Sequence, residues 1–139
     1  MKKVIIPVIV LVAVVAGLIL GGYLLIDKMF PKAEPITVPA SSTVISMTVA
    51  KNEDRKAGEP REIISNDLDS ILSRLSEAEP TRKMTVQDTP DAQMYYEIAV
   101  KTNERTHYFY VYEEDDVCYV EIPYEGIYTI GNGMIELLR

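Results

Sequence analysis

The stretch 94-MYYEIAVKTNERTHYFYVYEEDDVCYVEIPYEGIYTI-130 decides the fold. Residues 94–102 alternate, with Tyr96, Ile98 and Val100 on one side. Residues 107–112 alternate again, and here Tyr108, Tyr110 and Tyr112 oppose Phe109 and Val111. A period of two is the signature of a strand with one face buried. Asn103, Glu104 and Arg105 make the first turn, and the acidic run 113–116 makes the second. The chain returns over 117–122, breaks at Pro123 and gives one more short strand over 126–130. Closely spaced strands joined by polar turns read as an antiparallel meander.

Upstream, residues 36–50 have strand character. Thr43, Ile45, Met47 and Val49 fall on one face, and Val44, Ser46 and Thr48 on the other. Residues 51–59 are charged and contain Gly58, which predicts a loop. Pro60 suits a first helical position. Ile64, Leu68, Ile71, Leu72 and Leu75 then recur at helical spacing, one apolar stripe against Asp67, Asp69, Arg74 and Glu77, and Pro80 ends the helix. Residues 81–86 read as a short strand, Asp88-Thr89-Pro90-Asp91 as a turn, and residues 134–138 as a terminal helical turn. The expectation is an α+β fold: a small antiparallel sheet of about five strands, covered on one face by an amphipathic helix.

Ahead of this domain, residues 4–26 carry no charge. Twenty-three helical residues span about 34 Å, against the roughly 30 Å of a bilayer's hydrocarbon core. Pro7 lies in the first turn, where its missing N–H costs least, and Tyr23 sits near the far boundary. A cleaved signal peptide competes with this reading, with Lys2 and Lys3 as its charged start and Val14 and Ala16 as a small-residue site. The apolar run, however, continues ten residues past Ala16, longer than a typical signal core of about 7–15 residues. No cysteine follows it to direct lipidation. The reading is an uncleaved signal-anchor: residues 1–3 cytoplasmic, 4–26 spanning the cytoplasmic membrane once, 27–35 a short linker, and 36–139 outside. Lys28 and Lys32 nearly balance Lys2 and Lys3, so the orientation rests on the short N-terminus more than on charge. Gly17 and Gly21 form a G-x-x-x-G, which is either a helix-pairing face or the ordinary abundance of small residues in membrane helices.

Setting aside Lys2 and Lys3, twelve basic side chains face 21 acidic ones. Such a surface repels phosphate backbones, which argues against nucleic-acid binding and fits a soluble outer domain. The single Cys118 excludes an internal disulfide and any cysteine-rich zinc site. The single His107 lies far along its strand from Cys118, so the two do not form a nucleophile and base. The run Glu113-Glu114-Asp115-Asp116 lacks the alternating oxygen ligands and glycine of a calcium loop and reads as a solvated hairpin tip. Gly131-Asn132-Gly133 is a plain turn. No residue pattern calls for a metal or cofactor. A carboxylate pair for hydrolysis is conceivable in any acidic protein, but nothing singles one out.

Tyrosine is the unusual feature. Tyr95, Tyr96, Tyr108, Tyr110, Tyr112, Tyr119, Tyr124 and Tyr128 all lie beyond the apolar segment. A tyrosine stripe stabilises a half-buried sheet by cross-strand pairing, and it also serves as a low-entropy contact surface. As a contact surface it comprises Arg82, Tyr108, Tyr110, Tyr112, Tyr119, Tyr124 and Tyr128. Without interleaved basic residues it does not suit stacked bases.

Several segments carry a resemblance: Glu79-Pro80-Thr81-Arg82, Thr85-Val86-Gln87-Asp88-Thr89-Pro90, the strand from Tyr108 to Tyr112, and above all Pro123-Tyr124-Glu125-Gly126-Ile127-Tyr128. They resemble an uncharacterised domain family of Gram-positive bacteria found in small membrane-anchored proteins. Similar segments occur in the extracytoplasmic tails of BlaR/MecR-like sensor peptidases, whose zinc-bearing half is absent here. The resemblance implies location and a sensing or regulatory role, with no catalytic residues to carry over. The expected function is a non-catalytic, membrane-anchored module that binds a peptide or protein. Its alternatives are an antagonist that mimics a sensor's tail and, from another class, a carboxylate hydrolase. Oligomeric state is left open.

Overall fold

The computed structural model describes residues 2–139, with side chains from Pro7 onward. Met1, and the side chains of Lys2 and Lys3 on which the orientation reading draws, lie outside the described residues. The chain divides into two units, one ending at Lys32 and one running from Ala33 to Arg139.

The first unit is helix α1, Lys2–Met29, apolar and long enough to cross a membrane from Pro7 onward. It runs past the expected boundary at Ile26, through Asp27 and Lys28. Nothing in that stretch breaks a helix until Pro31, whose ring disfavours helical backbone in the residue before it. The Phe30 amide still donates to the Ile26 carbonyl at 2.8 Å.

The second unit is α+β. A seven-stranded antiparallel sheet has the order β2-β1-β4-β5-β6-β7-β3. Its strands are β1 Val44–Glu53, β2 Arg61–Glu62, β3 Glu79–Pro80, β4 Met94–Thr102, β5 Thr106–Glu114, β6 Val117–Ile122 and β7 Gly126–Thr129. Helices α2, Ser65–Ser76, and α3, Gly133–Leu138, lie over one face. The core is Met47, Val49, Tyr96, Ile98, Val100, Phe109, Val111, Cys118 and Val120 from the sheet, against Ile71, Leu72, Leu75, Met134, Ile135 and Leu138 from the helices.

The meander follows its period-two pattern. The second hairpin turns on Asp115 and Asp116, both at positive φ (51° and 61°), as a two-residue turn matched to strand twist requires. Seven strands replace the expected five because β2 and β3 hold two residues each, too few to show a period.

Four local expectations are corrected. A bulge between Val44 and Ser46 breaks the alternation of β1, so Ile45 turns outward at 57% exposure while Val44 packs towards the core. Residues 36–40 pair with no strand and end in a 3₁₀ turn, Ser41–Thr43. Pro60 does not open the helix. The chain first pairs with β1 through Arg61 and Glu62, and Ile64 caps α2 in extended backbone, exposed at 71%. Ile63, not Ile64, is the buried member there. Residues 81–86 are not a strand: the strand is β3, with Pro80 at the sheet edge where a missing N–H is tolerated.

Candidate functional site

Residues 81–93, without regular structure, cross the sheet face opposite the helices. That face carries Tyr95, Glu97, Tyr108, Tyr110, Tyr112, Tyr119, Glu121 and Thr129, as the cross-strand register requires. The crossing segment is a strap held by polar contacts. The Thr85 hydroxyl donates to the buried Glu121 carboxylate. Lys83 stands 4.2 Å above the Tyr119 ring and bonds Glu114 at 3.1 Å. The Glu114 bond, with help from Tyr119, holds the Lys83 ammonium above its usual range. The Tyr124 hydroxyl donates to Asp88 at 2.5 Å, which raises the phenol above its usual range.

The strap decides which tyrosines can meet a partner. Tyr110 and Tyr112 are buried. Tyr110 packs edge-to-face on Tyr95, with ring centres 5.6 Å apart, and burial together with Glu97 pushes its pKa up to about 12. Tyr112 stacks at a tilt on Tyr119 at 5.7 Å, and burial and Glu121 raise its pKa further. Tyr128 lies on the other, helix-covered face, 2% exposed, and its hydroxyl donates to the Glu34 carbonyl at 2.8 Å. Tyr119 and Arg82 are half-buried. Tyr108 and Tyr124 are open to solvent, at 45% and 67%.

Tyr124 also holds an unfavourable backbone. The Glu125 amide donates to the Ile122 carbonyl at 3.1 Å, closing a four-residue turn. Pro123 takes its second position, and Tyr124, at φ 64°, its third. That position in a type II turn requires positive φ and favours glycine.

Beside this turn is a cleft of about 570 Å³. It exists because β6 stops at Ile122 while β5 extends further. Tyr110 is the last β5 residue with a β6 partner, so residues 106–109 pair with β4 alone. The cleft is floored by Phe109, Ile122 and Tyr128 and bordered by Glu34, Arg105, His107, Tyr108 and Glu125. Burial, with the nearby Arg105, lowers the His107 pKa, while Glu125 and Glu104 oppose the shift. The net shift favours the neutral imidazole.

Cys118 sits opposite Glu113, six residues along β5 from His107, about 20 Å of strand. Burial and Glu113 push its thiol up to about 11, as suits a cysteine packed in the core.

The family model DUF5301, "Domain of unknown function (DUF5300)", matches residues 32–129. The chain belongs to this family. The match runs to the end of β7 and stops short of α3. Among solved structures, the chain is similar to one titled "NMR structure of the protein from Ruminococcus gnavus", with 26% identity and a TM-score of 0.59. That likeness covers 73% of this chain and 97% of the other. No curated protein matches. The family match carries the resemblance to an uncharacterised domain; none of these comparisons supports the expected likeness to sensor-peptidase tails.

Glu121, Thr85 and the cleft were missed in the sequence. Parity alone places Glu121 beside Tyr119 on the strap-covered face. The cleft was also legible: Pro123 ends β6 before it can pair the full length of β5.

Proposed function

We propose that the chain is a single-pass membrane protein that acts as a non-catalytic binding or sensing module. In this reading its N-terminus is inside and the α+β unit is outside, tethered by residues 27–35. The observation that carries the binding role is the open cleft where β5 outruns β6, bordered by solvent-exposed Tyr108 and by Pro123 and Glu125, which flank Tyr124 in its left-handed turn. A bulky residue kept at a strained backbone position is a pointer to function. The contact residues are then Tyr108 and Tyr124, with Arg82 and Tyr119 at the strap, while Tyr110, Tyr112 and Tyr128 support the sheet. The likeness to sensor tails favours a regulatory partner in the same membrane.

Two measurements test this. A photoreactive side chain at Tyr108 or Tyr124 in intact cells should crosslink a discrete partner, with the buried Tyr110 as silent control. No specific product from either exposed position rejects the binding role. For orientation, Ser41→Cys should react with a membrane-impermeant maleimide in intact cells. Labelling only after lysis reverses the topology.

A further inference from the structure

We propose that the cleft takes an extended, basic peptide segment, added as a short antiparallel strand to the free edge of β5. This inference rests on the binding role proposed above and assigns its ligand class.

The edge is defined by hydrogen-bond parity. The Thr102 amide donates to the Arg105 carbonyl at 2.9 Å, which turns the main chain of odd-numbered β5 residues towards β4. Even-numbered residues face the other way, and Tyr110 and Tyr112 meet Glu121 and Tyr119 of β6. Thr106 and Tyr108 follow the same parity but have no strand opposite them. Their N–H and C=O groups therefore face the unpaired edge, and both residues line the cleft. Among the described residues, no other backbone segment bonds to them. Two residues spaced two apart offer up to four main-chain bonds, the complement of a three-residue extended peptide. Strand addition of this kind draws its affinity from the main chain and its specificity from alternate side chains. The cleft, at about 570 Å³, has room for such a segment.

Charge selects the side chains. Glu34 and Glu125 border the cleft, and Glu104 acts on His107 from the adjoining turn, against Arg105, the one cation among the described lining residues. Burial and Arg105 disfavour a positive charge on His107. The apolar floor of Phe109 and Ile122 suits an aliphatic side chain between two basic ones.

The test uses the full chain in detergent and a labelled KVKVK peptide, acetylated and amidated. Saturable binding is expected, with NMR shifts at the Thr106 and Tyr108 amides. N-methylation of the valines or of the lysines blocks opposite edges of the peptide. One of the two sets should weaken binding by about tenfold or more, as loss of two hydrogen bonds implies, and the other by much less. The pair Glu34→Gln and Glu125→Gln together should weaken it about fivefold, and EVEVE should bind worse than KVKVK. No KVKVK binding, equal effects of the two methylation patterns, or preference for EVEVE overturns the proposal. Crosslinking of a cellular partner from Tyr108 together with no KVKVK binding removes the ligand class and leaves the binding role standing. Peptide binding at β5 with no cellular crosslink does the opposite.

Discussion

The two faces of the sheet are closed by different physics. On one, helices α2 and α3 seal Met47, Ile98, Val100, Phe109, Val111 and Val120 in hydrocarbon. On the other, a single irregular strap covers tyrosines through a threonine–carboxylate bond, a cation over a ring and a salt bridge. Hydrophobic burial is non-directional and scales with area, so the helical face carries most of the stability. The strap's contacts are few and specific, so it is the face able to open locally while the sheet persists. Both faces use the same period of two, which shows that periodicity places residues on a face without saying what covers it.

The largest expected effect tests the helical face. Phe109 is 2% exposed, and Phe109→Ala should cost about 3–5 kcal/mol, seen as a lower urea midpoint for the whole unit. A loss below about 1 kcal/mol would mean that this face is not where stability resides.

Next comes the strap. Glu121 is 4% exposed and accepts the Thr85 hydroxyl, so Thr85→Val leaves a buried carboxylate short of a donor. The expected loss is about 1–3 kcal/mol. Hydrogen exchange should quicken in residues 81–93 while β4 and β5 amides stay protected. Equal quickening throughout would show that the strap and sheet open as one.

Alkaline titration compares the faces directly. Cys118, on the helical face, has its thiol raised from 9.0 to about 11 by burial and then Glu113. Tyr110, under the strap, has its phenol raised from 10.0 to about 12 by burial and then Glu97. Both folded-state pKa values exceed the unfolded ones, so above pH 9 the unfolded chain binds fewer protons than the folded chain. The stabilisation is complete below pH 9 and falls as pH rises to about 12. Cys118→Val should remove the part that begins near pH 9, and Tyr110→Phe should reduce without abolishing the part that begins near pH 10, because Tyr112 and Tyr128 are raised from the same starting value. Urea midpoints measured across that range resolve the two; an unchanged pH profile in either variant would discount that group.

Much of this was legible in the sequence, for reasons that differ by element. The meander and the stripe of α2 could be read because long periodic runs repeat their signal: Ile98, Val100, Phe109 and Val111 each confirm their neighbours. The bulge at Ile45, the two-residue strands and the start of α2 were not legible, because each depends on one or two residues decided by tertiary pairing. The tyrosine stripe was visible as a pattern, but its burial depended on a segment, residues 81–93, that has no period of its own. The site suffered most from this. Tyr110 and Tyr112 look equivalent to Tyr108 along β5, and only the strap and the end of β6 separate them.

The smallest effect concerns Tyr124, where the strap face meets the cleft. At φ 64° in its turn, any residue with a Cβ is strained, and glycine is not. Tyr124→Ala removes the bond to Asp88 and keeps the strain, whereas Tyr124→Gly removes both. The Gly variant should therefore melt higher than the Ala variant by a few degrees at most, despite glycine's greater freedom in the unfolded chain. If the order reverses, the turn is relaxed and the backbone gives no reason to assign Tyr124 a role. If it holds, and if both variants also lose the crosslink made from Tyr108, then this tyrosine is kept against its local conformational preference for the sake of contact. Its side chain would in that case link the strap to the cleft edge, making the weakly held face the one that recognises.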